Sequence, residues 1–125
     1  MTSRRILIVD DEADIREVTR LSLEATMGWE VVTAGSGAEG LALAVQELPD
    51  AILLDMMMPV MGGEAVLARL KEDDALADVP VILFTAKVHP SDRSRYDGLG
   101  SAGLIVKPYD PLTLGGQVVE ILGWE

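Results

Sequence analysis

The sequence has no cysteine and a single histidine, His89. The missing thiols exclude disulfides, cysteine-bound zinc, iron–sulfur clusters and thiol catalysis, and they point to an intracellular, cytoplasmic setting. One histidine cannot build a histidine metal cluster. Long apolar runs are also missing. None approaches the ~20 residues that span a bilayer. The run Ile6 to Val9 after Arg4-Arg5 stops at two aspartates, so the start does not read as a signal peptide. Positive charge is scarce: Lys and Arg total 10 against 21 Asp and Glu, a formal net charge of −11. That argues against direct binding of nucleic-acid phosphates and against a polybasic membrane anchor. The expectation is no direct nucleic acid binding and no membrane association. What is present is 125 residues, 49% of them hydrophobic. This suits one domain, and it is too apolar for a disordered acidic tail.

Short apolar runs alternate with amphipathic ones. Ile6-Leu7-Ile8-Val9 reads as a strand buried on both faces. Glu12 to Thr26 reads as a helix with Ile15, Val18, Leu21 and Ala25 as its inner stripe, stopped by Gly28. Glu30 to Ala34 is a second strand. Ser36-Gly37-Ala38-Glu39 matches a capping box, opening a helix with Leu41, Ala44, Val45 and Leu48 inward and Pro49 at its end. Ala51 to Leu54 is a third strand. Gly62-Gly63 breaks the chain before a helix with Val66, Leu67 and Leu70 inward. After an acidic loop ending at Pro80, Val81 to Phe84 is a fourth strand. A helix near Ser91 to Gly98 offers only Tyr96 and Leu99 as sizeable apolar residues. It should be the most weakly held, because packing supplies most helix stability. Leu104 to Val106 is a fifth strand. Asp110-Pro111 is an N-cap followed by proline, and the last helix presents Leu114, Val118, Ile121 and Leu122. Gly115 and Gly116 within it mean either a soft helix or close packing that needs the missing side chains.

Five strands alternating with five helices imply an α/β fold: a doubly wound parallel sheet of order 2-1-3-4-5, with helices on both faces. Ligands of such sheets bind at the carboxyl ends of the strands, at the switch point between strands 1 and 3. Asp10, Asp11 and Glu12 follow strand 1, Asp55 ends strand 3, Thr85 ends strand 4 and Lys107 follows strand 5. Each has an ordinary structural reading as a turn, cap or loop residue. Together they fit poorly with structure alone, because adjacent carboxylates repel unless paired. A divalent cation removes that conflict, and oxygen ligands without His or Cys select Mg²⁺ or Mn²⁺. A carboxylate beside Mg²⁺, with an ammonium and a hydroxyl in reach, can accept a phosphoryl group. Asp55, on the central strand, is the natural nucleophile.

The pieces Val9-Asp10-Asp11-Glu12, Leu54-Asp55-Met56-Met57-Met58-Pro59, Met61-Gly62-Gly63, Phe84-Thr85-Ala86 and Val106-Lys107-Pro108, in this order and spacing, resemble the receiver domain of two-component response regulators along essentially the whole chain. The resemblance implies one receiver domain over residues 1–125, a phosphoacceptor switch rather than an enzyme. It implies phosphorylation of Asp55 by a histidine kinase or phosphotransfer protein. It also implies Mg²⁺ held by Asp10, Asp11, Asp55 and the backbone carbonyl of Met57, with Asp10 acting through water. Thr85 and Lys107 match the switch threonine and the phosphate-binding lysine, and the Lys107–Pro108 bond is often cis in the family. Partner binding would change on the face made by the Ser91–Gly98 helix, the fifth strand and the last helix. The downstream protein target is not named by the sequence. Leu104 stands where many receivers have an aromatic that swings inward. Met57 and Lys87 occupy two positions that tune phosphoryl lifetime, and Met57 cannot position an attacking water, which leans toward slow autodephosphorylation.

Two other readings compete. A haloacid-dehalogenase-like phosphatase wants a second aspartate two residues after the nucleophile, where this chain has Met57. A flavodoxin-like cofactor binder wants a Ser/Thr/Gly-rich loop after strand 1, where this chain has Asp10-Asp11-Glu12. His89 reads as a surface residue rather than a phosphodonor. Met56, Met57, Met58 and Met61 read as loop packing, Arg4 and Arg5 as a solvated start, and Trp124 as exposed or docked. With no room for a separate effector, output is expected to pass through a partner or through further chain.

Overall fold

The computed structural model describes residues 4–86 and 100–124. Five apolar runs form the strands β1 (Arg5–Val9), β2 (Glu30–Ala34), β3 (Ala51–Asp55), β4 (Val81–Thr85) and β5 (Gly103–Val106). They pair in parallel in the order β2-β1-β3-β4-β5. Four helices are described: α1 (Ala13–Met27), α2 (Gly37–Glu47), α3 (Gly63–Glu72) and α4 (Pro111–Leu122). The architecture is the expected flavodoxin-like one. The fifth helix, expected near Ser91 to Gly98, lies outside the described residues, as do Lys87 and His89.

The period of two along each strand divides the core. Leu7, Val9, Ile52, Leu54, Val81 and Leu83 face one side, against Ala44 of α2 and Val66, Leu67 and Leu70 of α3. Ile6, Ile8, Leu53, Ile82 and Phe84 face the other, against Leu23 of α1 and Leu114 and Val118 of α4. A run buried on both faces shows no alternation in its sequence, yet its alternate residues serve different layers.

Two helices sit differently from the expected stripes. On α1, Val18 and Leu21 are half exposed, and Thr19 and Leu23 are the buried residues. The inner line therefore runs Ile15, Thr19, Leu23, Met27, one residue every four positions. On α2, Val45 is exposed and Gly37, Gly40 and Ala44 are buried, while the exposed Leu48 lies past the helix as its left-handed C-cap. The reason is steric in both cases. A Cβ on Gly40 would lie 2.8 Å from a Val9 methyl, and one on Gly115 would lie 2.4 Å from Met27 Cγ. Small residues let the helices approach the sheet and each other, and those close contacts set the rotation of each helix. The question posed by Gly115 and Gly116 is thus divided. Gly115 is closely packed against the Met27 side chain, which would have to shift for a Cβ there, whereas a Cβ on Gly116 would meet nothing within 4 Å.

Helix boundaries follow the expected chemistry. Gly28 takes a left-handed conformation and its N–H caps α1 at Glu24. Ser36 Oγ accepts from the Glu39 N–H, while Glu39 reaches back one residue further than a standard box, to the Gly35 N–H. Asp110 Oδ1 accepts from the Leu112 N–H ahead of Pro111.

The start of the chain is not simply solvated. Arg5 hydrogen-bonds Glu30 and the Glu47 carbonyl, and its N–H donates to Asp50. The Arg4 guanidinium lies 3.9 Å from the centre of the Trp124 ring, which meets Trp29 edge-on at 5.6 Å. Trp124 is therefore docked at the amino edge of the sheet. No helix among the described residues is long and apolar enough to cross a membrane.

Candidate functional site

The parallel sheet carries its strand ends to one edge. Asp10, immediately after β1, is fully buried, and Asp55, the last residue of β3, is 3% exposed. Asp11 follows Asp10 and is exposed. One carboxylate oxygen from each of the three lies within 4.8 Å of the others. Lys107 arrives from the end of β5. Its N–H donates to the Thr85 carbonyl at 2.7 Å, which seats it beside the buried Thr85 at the end of β4. The Lys107 ammonium then donates to Asp10 Oδ2 at 2.8 Å and Asp55 Oδ2 at 3.3 Å, with the exposed Glu12 carboxylate 3.6 Å away. The Lys107–Pro108 bond is cis.

Each carboxylate is oriented. Asp10 Oδ1 accepts from the Glu12 N–H and Asp55 Oδ1 from the Met57 N–H. Gly63 sets the approach of the next helix. A Cβ there would sit 2.7 Å from the Asp55 carbonyl, so only glycine lets α3 begin hard against the end of β3. The intervening loop carries a strained point. Met61 N–H donates to the Pro59 carbonyl across Val60, which takes φ +68° and is fully exposed. A β-branched residue there is an outlier, and such strain collects at functional sites. Met58 is buried, and Met56 and Met61 pack on the core, but the Met57 side chain is 73% exposed, so the loop-packing expectation fails for that residue.

The electrostatics are unequal. Burial pushes the Asp55 carboxyl above its ordinary range; the Met57 N–H and Lys107 oppose the shift, and Asp10 adds to it. For Lys107, burial is the largest single influence and acts downward. The hydrogen bond and charge of Asp10, then Asp55, outweigh it and hold the ammonium above its usual value. Among the described residues, the Asp10, Asp11 and Asp55 carboxylates gather beside the Lys107 ammonium, with Glu12 also in reach, so negative charge is in excess at a point with oxygen donors only. That donor set and spacing fit a hard divalent cation such as Mg²⁺.

Three residues near the site escaped the sequence reading. Arg16 of α1 donates to the Asp10 carbonyl at 2.7 Å. Thr19, fully buried on α1, shares a 2.7 Å hydrogen bond with the Tyr109 hydroxyl. The Tyr109 ring stacks on Phe84, with centroids 4.8 Å apart and planes 26° from parallel. A hydroxyl on the inner line of an amphipathic helix was the available signal, and the stripe chosen for α1 passed it by. Leu104, at the expected aromatic position, packs on the α2–α3 side of the sheet instead.

A family model described as the response regulator receiver domain matches residues 6–118. The probable transcriptional regulator ycf27 of Guillardia theta is 42% identical over 123 residues, 97% of this chain and 46% of that protein. The DNA-binding dual master transcriptional regulator RpaA of Synechocystis sp. is 40% identical over 106 residues, 85% of this chain and 44% of that protein. The solved chemotaxis response regulator CheY4 of Vibrio cholerae superposes with a TM-score of 0.89 at 31% identity, over 96% of this chain and 99% of that one. The chain thus spans about half the length of these two regulators.

Those regulators overturn the expectation of no direct nucleic acid binding. The net charge of −11 describes 125 residues only. Screening confines its reach to about 8 Å in physiological salt, so an acidic receiver surface does not govern what a longer protein of this kind binds elsewhere. The match of one family model across residues 6–118, on a five-stranded sheet of the required order with the acidic cluster at its carboxyl edge, establishes that this chain belongs to the receiver domain family of two-component response regulators, phosphoacceptor switches of signal transduction.

Proposed function

We propose that residues 1–125 form a single receiver domain that accepts a phosphoryl group on Asp55 from a histidine kinase or phosphotransfer protein. The observation that carries this reading is the Lys107 ammonium set between Asp10 and Asp55, beside a third carboxylate at the switch point of the sheet. Asp10, Asp11, Asp55 and the Met57 carbonyl would hold Mg²⁺, which when bound neutralises charge on the transferring phosphoryl oxygens. A carboxylate oxygen of Asp55 forms the new O–P bond as the donor's P–N bond breaks, and the electron pair returns to the imidazole. Lys107 offsets the charge gathering on the equatorial oxygens. Thr85, buried at the end of β4, bonds a phosphoryl oxygen in the product. The domain assists its own phosphorylation without turning over a substrate as an enzyme does. The exposed thioether of Met57 cannot orient an attacking water, so autodephosphorylation is slow.

Output passes to a downstream protein through the face of β5 and α4. Regulation of transcription is the process we assign to it, since the relatives named above include transcriptional regulators. The setting is cytoplasmic. Incubation with Mg²⁺ and acetyl phosphate tests the central claim. The wild type should gain the mass of one phosphoryl group and Asp55→Asn should gain none. No gain in the wild type, or an equal gain in the mutant, overturns it. Hydrogen exchange with a beryllofluoride phosphoryl mimic tests the output face: protection along β5 and α4 should change, and identical protection in both states removes that part of the reading.

A further inference from the structure

The hydrogen bonds around the site close into a ring. Arg16 on α1 holds the Asp10 carbonyl, Asp10 holds the Lys107 ammonium, Lys107 leads through Pro108 to Tyr109, and the Tyr109 hydroxyl returns to Thr19 on α1. Arg16 and Thr19 are three residues apart and so lie on the same side of the helix. We infer that Thr19 and Tyr109 act as positioning residues that hold the Lys107 ammonium on Asp10 and Asp55; the inference rests on the reading of Asp55 as the phosphoacceptor.

The argument concerns what restrains Lys107. Its ammonium sits on a flexible four-carbon stem, so its backbone must be fixed for the charge to be fixed. On the strand side the Lys107 N–H bonds the Thr85 carbonyl. On the loop side the restraint is Tyr109, whose ring lies on Phe84, the residue before Thr85. Stacking fixes the distance of the ring from the sheet but leaves it free to slide in its own plane. The bond to a fully buried helical hydroxyl removes that freedom. The competing position is close at hand: the exposed Glu12 carboxylate lies 3.6 Å from the same ammonium. Loosening the loop therefore lets Lys107 turn outward toward Glu12 and water, away from Asp55. This receiver lacks an aromatic at Leu104, and an aromatic at Tyr109 ties the lysine loop to α1 instead.

Trace acetylation with acetic anhydride, read by peptide mass spectrometry on the intact metal-free protein, measures the exposure of Lys107 with Lys71 as internal reference. Tyr109→Phe keeps the ring and loses the hydroxyl. Thr19→Val keeps the shape and loses the hydroxyl, and Thr19→Ser keeps the hydroxyl. Labelling of Lys107 should rise about fivefold in Tyr109→Phe and in Thr19→Val, the factor expected for one ordinary hydrogen bond. It should rise no further in the double variant and stay at the wild-type level in Thr19→Ser. Initial phosphorylation by acetyl phosphate at saturating Mg²⁺ should fall by a similar factor, with the Mg²⁺ midpoint unchanged. Unchanged labelling in Tyr109→Phe, with only a lower melting temperature, makes the bond merely structural and overturns the inference. If the wild type takes no phosphoryl group, the proposed function fails, while Lys107 labelling still decides the positioning role.

Discussion

The two edges of the sheet handle charge in opposite ways. At the amino edge, Arg5 meets Glu30, Glu47 and Asp50, and Arg4 lies over Trp124. These cations have partners, and the side chains of the Arg5–Glu30 pair stay open to water. At the carboxyl edge, Asp10 and Asp55 are buried, Asp11 stands beside them, and among the described residues Lys107 is the cation whose charged group bonds these carboxylates. Water screens the first arrangement, so it contributes little either way. The second is desolvated and under-neutralised, so the fold carries a cost there that a cation or an altered charge relieves. A surplus of like charge, two of its carboxylates kept out of water on rigid strand ends, sets the carboxyl edge apart from the amino edge.

The comparison can be broken most severely at Lys107. In metal-free protein, Lys107→Met should cost about 3 kcal/mol in urea denaturation, because it leaves buried carboxylates without a counter-ion. A loss no greater than that for Arg5→Ala would make the two edges equivalent. Next in size is the cation itself. Mg²⁺ at a hundred times its dissociation constant should add about 2.7 kcal/mol of stability. Asp11→Asn, a change at an exposed carboxylate, should abolish that gain while barely altering the metal-free protein. A full Mg²⁺ response in Asp11→Asn would move the cation elsewhere.

Asp55→Asn sharpens the electrostatic claim. The folded-state pKa of Asp55 is raised, chiefly by burial. Its protonated form therefore suits the fold, and that contribution is complete below the unfolded carboxyl pKa and lost as pH rises through the folded value. Metal-free Asp55→Asn, which mimics the protonated state, should melt a few degrees above wild type at pH 7, and the gap should close as pH falls through the carboxylate range. A gap that widens in acid would reverse the assignment. The smallest effect belongs to Arg5→Ala, whose ion pairs are solvent-facing: its melting temperature should hardly move, and any shift should vanish in 1 M salt.

The site was far more legible in the sequence than the helix faces were. Asp10, Asp55, Thr85 and Lys107 each lie at or next to the end of an apolar run. In a parallel sheet those ends share one edge, so knowing the run boundaries and the strand order was enough to gather them. Val18, Leu21 and Val45 lie off the expected faces because a helix has several apolar stripes, and the rotation about its axis is chosen by contact; Leu48 does so because the helix ends before it. Gly40 against Val9 and Gly115 against Met27 made that choice, and a missing Cβ carries no apolar signal along the chain. Thr19 and Tyr109 were missed for a related reason. They are 90 positions apart, and neither side chain names its partner.

Read along the chain, the residues settled the strand count, the parallel order, the helix caps and which acids gather at the carboxyl edge. These follow from local periodicity and from the few ways a βα repeat can close. The quantities decided only by folding were the burial of Asp10 and Asp55, the position of the Lys107 ammonium between them, the rotation of α1 and α2, and the bond from Thr19 to Tyr109. Each depends on distances of a few ångströms between segments far apart in sequence, and those distances exist only once close packing has brought the segments together.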